Sequence, residues 1–371
     1  KNMDLNEIRH QAIVNVDKTV NELIQKGEQD YNQYDYCLAS HNLYTFLPDS
    51  TEEKHQQIYR TFLRNKLLST NNDFYYTFPY WDMMKEIKRE RFEHNLPAIF
   101  AIYHFCLGFL YAMVLIRENV DFVVVAGFDG DALEKIKKSY AEQFKMAKEI
   151  YPNSTSRMEV VSTMSKTLFV DLMSKVRNGY SILWAVDWAV SYSDSNVTAT
   201  VNFLNHELLV PKAMAIFSSL LRVPIIPLSA HYNESYVPVC HFVDIIPPVL
   251  SMKDKDKITE VMQKLYDILA DNVTKHPEQW QGWFFIHRLL KDRGHKATNF
   301  PMPQNMAACK YKLSTIAKLF KIEDNWFIMN VRTGALLEMN LEAAQKILHH
   351  EADRLSNEEK RLMYKNGMFV E

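Results

Sequence analysis

Glycine is scarce in this sequence, nine residues among 371. No G-x-G-x-x-G or G-x-x-x-x-G-K run occurs, which removes the glycine loops that cradle dinucleotides and nucleoside triphosphates. Cysteine is scarcer still. Cys37, Cys106, Cys240 and Cys309 lie far apart and share no metal or disulfide spacing, a pattern that predicts a reducing, cytoplasmic setting and no metal site. Neither sign of charge is in excess, the formal net charge being −2, so the electrostatics give no case for nucleic acid. The first residues do not read as a secretory signal, and a glycosylation triplet such as that at Asn196 means nothing without secretion. What remains is an ordinary globular composition, 47% hydrophobic and 24% charged, which allows a sizeable core. The length suits one large α/β domain with a small companion.

The chain is organised around Pro97–Ile116, PAIFAIYHFCLGFLYAMVLI, which has no acidic or basic side chain except the imidazole of His104 and, by length alone, is a candidate membrane span. Its interior His104 and Gly108, and the strand-like segment that follows closely, predict instead a stretch folded inside a domain. Ala98–Tyr103 reads as a buried strand. From Leu107 the apolar positions Leu110, Tyr111, Val114 and Leu115 follow the core face of a helix. His104 then stands at the carboxyl end of a strand, where α/β sheets collect ligands and chemistry.

Residues 1–95 read as helical, with Ile13, Val16, Val20, Leu23 and Ile24 in one stripe and a second helix from Thr51. The aromatic run Phe74–Trp81, FYYTFPYW, is a core filler or the wall of an apolar groove. After the central stretch, strands are predicted at Phe122–Ala126, Met158–Ser162, Ile182–Val186, Val223–Leu228 and Val239–Ile246. Helices are predicted at Ala132–Ile150, Thr167–Val176, Leu208–Leu221 and Lys257–Val273. The alternation predicts an α/β fold, a mostly parallel or mixed sheet flanked by helices. Composition changes near Lys291, and DRGHKATNFPMPQ reads as a linker. Beyond it a hairpin (Trp326–Val331 and Ala335–Met339), a helix from Leu341 and a capping box at Ser356 and Glu359 predict a small α+β domain. The expected division is a helical region 1–95, an α/β domain 96–291, a linker 292–309 and a small domain 310–371.

Four markers, in order, carry a resemblance: IFAIYHFCLGF; ILWAVDWA, a strand ending in Asp187; VNFLNHELLVPKAMAIFSSLLRVPIIPLSAHY; and HPEQWQGWFFIHRLLK, His276–Lys291. Residues 50–291 resemble the lysophospholipid acyltransferase superfamily, and within it the lipid A late acyltransferase branch. The resemblance implies acyl transfer from an acyl carrier protein or coenzyme A thioester, used as co-substrate with no bound cofactor, to an amine or hydroxyl. It implies a His-x4-Asp/Glu motif, with His104 as general base. It also implies that Tyr103, Glu207, His287 and Arg288 line the substrate site, and Trp81 of the aromatic run is expected to help wall an apolar groove that leads to His104.

The motif's acidic position is Phe109. Three readings stay open: another acid serves His104, with Asp187 the first candidate; His104 works alone; or the chain binds without acylating. The turn after the second strand, Gly127-Phe128-Asp129-Gly130-Asp131, is acidic where related enzymes place a phosphate-binding arginine, which disfavours a phosphorylated acceptor. Residues 310–371 are similar to the small PqqD-like peptide-recognition domains, which implies a precursor peptide as a partner. Any membrane contact is expected to be peripheral.

Overall fold

The computed structural model describes residues 4–30, 34–77, 87–105, 109–187, 197–292 and 311–369. In chain order the helices and strands are α1 (Leu5–Asp30), α2 (Tyr34–Phe46), α3 (Glu52–Leu68), α4 (Asn72–Tyr76), β1 (Ile99–Ile102), α5 (Leu110–Arg117), β2 (Phe122–Ala126), α6 (Gly130–Ile150), β3 (Met158–Ser162), α7 (Leu168–Arg177), β4 (Ser181–Ala185), β5 (Thr198–Phe203), β6 (His206–Pro211), α8 (Ala213–Leu221), β7 (Ile225–Tyr232), β8 (Pro238–Phe242) and α9 (Lys255–Lys275). They are followed by β9 (Ala317–Ile322), β10 (Asn325–Asn330), β11 (Leu336–Met339), α10 (Leu341–Leu348) and α11 (Asn357–Lys365). Two compact units form. One comprises Lys1–Val14, Asn65–Gly282 and Arg288–Lys291; the other comprises Asn15–Arg64, Trp283–His287 and Asp292–Glu371.

The first unit is built on a six-stranded sheet in the order β3-β2-β4-β1-β7-β8, parallel except for β8. The class is the mixed α/β expected. Strands β1 and β2 are apolar runs because both their faces are covered. Helix α5 is buried on every side up to Arg117, as a helix with no polar face must be. Within Pro97–Ile116 the described residues thus include strand β1 and most of helix α5. Among the described residues no helix is long and apolar enough to cross a membrane.

Leu208–Leu221 is not one helix. Its first part is β6, paired with β5 in a separate hairpin, and α8 begins only at Ala213. Leu208 and Val210, two apart, are both fully buried, which is strand periodicity, and Pro211 closes the strand. The hairpin turns through Leu204 and Asn205, both at positive φ (45° and 65°), the backbone twist that two-residue hairpins require. The stripe of α1 also fades. Val16 and Val20 are buried, but Leu23 is exposed.

In the second unit the sheet β11-β10-β9 is covered on both faces. Ala317, Leu319 and Ile328 share one core with Ala344 and Ile347 of α10 and Met363 of α11. Their alternates Phe320 and Met329, with Val331, share the other with Cys37 of α2. A domain of some sixty residues is near the lower limit for an independent core. Here α2 supplies the second apolar layer. The capping box at Ser356 and Glu359 forms as read, and Asn340 caps α10.

Candidate active site

The register of the central strands sets the site. β1 and β4 are parallel, and Ile102 lies opposite Ala185. His104 and Asp187 each follow their partner by two residues, so both emerge at the carboxyl edge of the sheet on adjacent strands. His104 Nδ1 is 2.8 Å from Asp187 Oδ1. The backbone N–H of His104 donates to the same carboxylate, 3.0 Å from Oδ2 and 3.3 Å from Oδ1. The Asp187 side chain is 2% exposed and the imidazole 26% exposed.

The segment after α9 holds the pair from behind. Trp280 Nε1 donates to Asp187 Oδ2 at 2.7 Å. The backbone N–H of Gln281 donates to the His104 carbonyl at 2.8 Å. Gln279 clamps the end of β7: the Tyr232 N–H donates to its Oε1 at 2.7 Å, and its Nε2 donates to the Tyr232 carbonyl at 2.8 Å. Three consecutive residues therefore tie the carboxylate, the histidine and a neighbouring strand together.

The charges follow from this geometry. Burial pulls the His104 pKa down, but the charge of Asp187 and its hydrogen bond outweigh that and hold it above the ordinary 6.5. Burial pushes Asp187 up, but the His104 charge and the bonds from His104 and Trp280 outweigh it and keep the carboxyl below its ordinary 3.8. The nearby Tyr103, Tyr111 and Tyr266 are buried, which drives their pKa values up and keeps them neutral. An imidazole held by a buried carboxylate, at the mouth of an α/β sheet, has the make-up of a general base.

The remaining residues read from the sequence are scattered. Tyr103 is sealed in the core, where its hydroxyl donates to the Leu265 carbonyl at 2.9 Å. Glu207 is exposed on β6 and pairs with Lys291 at 3.1 Å. Arg288 is exposed on the turn Ile286–Leu289. His287 belongs to the second unit, where Asn42 Nδ2 donates to its Nδ1 at 3.1 Å. Trp81 lies outside the described residues, as do its neighbours from Phe78. Phe74, the start of that aromatic run, is buried against Tyr232. Phe109, at the acidic position of the motif, is buried edge-on against Tyr140 of α6, 5.7 Å between ring centroids. Among the described residues no group of three His, Cys, Asp or Glu is placed to hold a metal ion. The sequence reading missed Trp280, Gln279 and Gln281. A signal was present, since a buried tryptophan needs a partner for its N–H.

The model of the bacterial lipid A biosynthesis acyltransferase family matches residues 29–292. The chain belongs to that family. The match covers the whole described sheet of the first unit and both residues of the dyad, and it stops before the C-terminal sheet of the second unit. Membership in the lipid A acyltransferase family makes acyl transfer the general chemistry of the fold, with acyl thioesters as its usual co-substrates. No curated protein matches the chain.

Proposed function

We propose that the protein moves a fatty acyl group from a thioester, on an acyl carrier protein or coenzyme A, to an amine or hydroxyl, with His104 as general base and Asp187 as its orienting carboxylate. The observation that carries this reading is the 2.8 Å contact between His104 Nδ1 and Asp187 Oδ1. With Nδ1 protonated toward Asp187, the lone pair of Nε2 takes the acceptor's proton. The acceptor oxygen or nitrogen bonds to the thioester carbonyl carbon, the tetrahedral adduct collapses, and the C–S bond breaks. The departing thiolate recovers the proton from the imidazolium, which Asp187 has stabilised meanwhile.

The favoured acceptor is a peptide natural-product precursor or another small molecule, ahead of a membrane phospholipid. Two features support this. Exposed Asp129 and Asp131 sit at the carboxyl end of β2, on the edge of the sheet that carries the dyad, and repel phosphate. In the PqqD-like region, β9 is an edge strand, and beside it lies a cavity of about 530 Å³ whose lining includes Leu313, Leu319, Ile347 and Leu348. An extended peptide can add to such an edge while its side chains fill such a cavity. The reaction belongs to the cytoplasm, with at most peripheral membrane contact.

The test is mass spectrometry after incubating the full-length protein and acyl-loaded carrier protein with a small precursor peptide encoded beside it, and separately with a lipid A precursor. An acyl mass increment on the peptide supports this acceptor. An increment on the glycolipid alone moves the acceptor to the lipid of the family's name. The second reading is a non-catalytic partner that binds a peptide or lipid for another enzyme. It is favoured by Phe109 and predicts no increment on either.

A further inference from the structure

Asp187 stands two residues past β4 and meets a histidine whose motif carries Phe109 at its acidic position. The two oxygens of Asp187 are not equivalent. Oδ1 faces the imidazole at 2.8 Å, while Oδ2 takes the indole N–H of Trp280 at 2.7 Å and the His104 backbone N–H at 3.0 Å. We propose that Trp280 is a positioning residue of the dyad: its N–H fixes Oδ2, which turns Oδ1 to His104 Nδ1 and takes up part of the carboxylate's charge.

The indole is itself seated by its surroundings. Trp280 is fully buried and packs on Phe203 of β5, 5.5 Å between ring centroids. A Cβ at Gly282 would overlap the six-membered ring of the same indole. Glycine at 282 is therefore what allows Trp280 to fold back over the chain and reach Asp187. The flanking bonds of Gln279 to Tyr232 and of Gln281 to the His104 carbonyl hold the turn in place on either side. The segment Gln279–Gly282 thus reads as one device: glycine gives the room, tryptophan supplies the donor, and the two glutamines anchor it to β7 and to the residue it serves.

A buried carboxylate that loses one N–H donor holds the proton it shares with His104 more tightly, so the upper pKa of the dyad rises. Trp280 therefore limits how far Asp187 raises the imidazole's proton affinity.

The inference rests on the dyad reading, and the experiment separates the two. Histidine-selective NMR titration of the full-length protein follows His104, assigned by its loss in His104→Gln, and needs no acyl transfer. In Trp280→Phe the His104 pKa is expected to rise by about 0.5–1, with the other histidines unmoved. Gly282→Ala is expected to give the same direction of change, and the double variant no more than the larger single change. The ascending limb of the acyl-transfer pH profile should shift with it. Should Trp280→Phe fail to fold, β-(3-benzothienyl)alanine at 280 keeps the fused rings and replaces N–H by sulfur. An unchanged or lowered His104 pKa in the folded variant overturns the positioning role. A His104 that does not respond to Asp187→Asn either overturns the dyad itself.

Discussion

Asp187 meets His104 from 83 residues further along the chain, and the contact depends on strand register. Because β1 and β4 are parallel neighbours with Ile102 opposite Ala185, residues two beyond each strand arrive side by side. The carboxylate beside His104 therefore comes from the end of the adjacent strand, while Phe109, at the acidic position of the motif, is buried as apolar packing.

Replacement of Asp187 by Asn tests that contact. The amide presents an NH₂ where the imidazole and indole need an acceptor, and the histidine loses its tautomer control. Acyl transfer is expected to fall on the order of 10³–10⁴-fold. The His104 pKa, now held above 6.5, should drop. Kinetics together with an NMR titration of His104 check both. A His104 pKa that stays raised would show that another group supplies the charge.

Restoring the family's acid should harm the protein. Phe109→Glu puts a carboxylate into a site 2% exposed and packed on Tyr140. The cost is expected to be about 3 kcal/mol or more, since the charge is buried without a partner and the aromatic contact is lost. Urea unfolding of the variant measures it. An increase in activity at undiminished stability would mean that position 109 can still face His104.

Acid should weaken the fold through histidines that are far from the dyad in the sequence. His55 is buried, with Ser40 Oγ 2.8 Å from Nδ1 and Ser50 Oγ 2.7 Å from Nε2. Burial lowers its pKa to about 4, against the opposing pull of Glu52. Burial, then the charges of His276, His241 and Lys275, lower His231 to about 4. The unfolded rings titrate near 6.5, so the native state binds fewer protons below that value, and stability falls from pH 6.5 toward 4. His104 acts oppositely. Its pKa is raised, so its contribution is full below 6.5 and is lost as pH rises through its folded value. Burial lowers the His276 pKa as well, so with three groups against one the urea midpoint should be lower at pH 5 than at pH 7, and His55→Gln should flatten the difference. An equal midpoint at both pH values would contradict the argument.

Gly334 offers a test confined to the second unit. Its φ of +78° disfavours any side chain, and a Cβ there would stand 2.8 Å from the His41 ring. Gly334→Ala should destabilise by about 1–3 kcal/mol, read as a lower thermal midpoint. An unchanged midpoint would show that His41 swings aside at no cost.

The sheet of the first unit was readable because strands covered on both faces appear as short apolar runs, as in FVVVA and ILWAV. The position of His104 at a strand end followed from the same pattern. Other elements left no such mark. Strand β5 pairs outside the main sheet, and its turn uses Leu204 at positive φ, a residue no turn rule selects. In β9, Lys318 and Lys321 interrupt an alternation whose two faces are both covered, so it resembles a polar connection. Asp187 was legible as a strand-end acid. Trp280 lies within the HPEQWQGWFFIHRLLK marker, yet nothing local tells where a buried indole sends its N–H, and only the folded chain brings it to a carboxylate 93 residues away.

The central claim is that His104 is the base for acyl transfer, and the most direct measurement compares wild type with His104→Ala. The ring stands at a strand end and is partly open, and Asp187 keeps the donors at Trp280 and the His104 backbone, so the variant should fold. Acyl transfer from loaded carrier protein to the acceptor, followed by mass spectrometry, is expected to fall roughly 10²–10⁴-fold. Equal acylation by the two proteins would contradict the account.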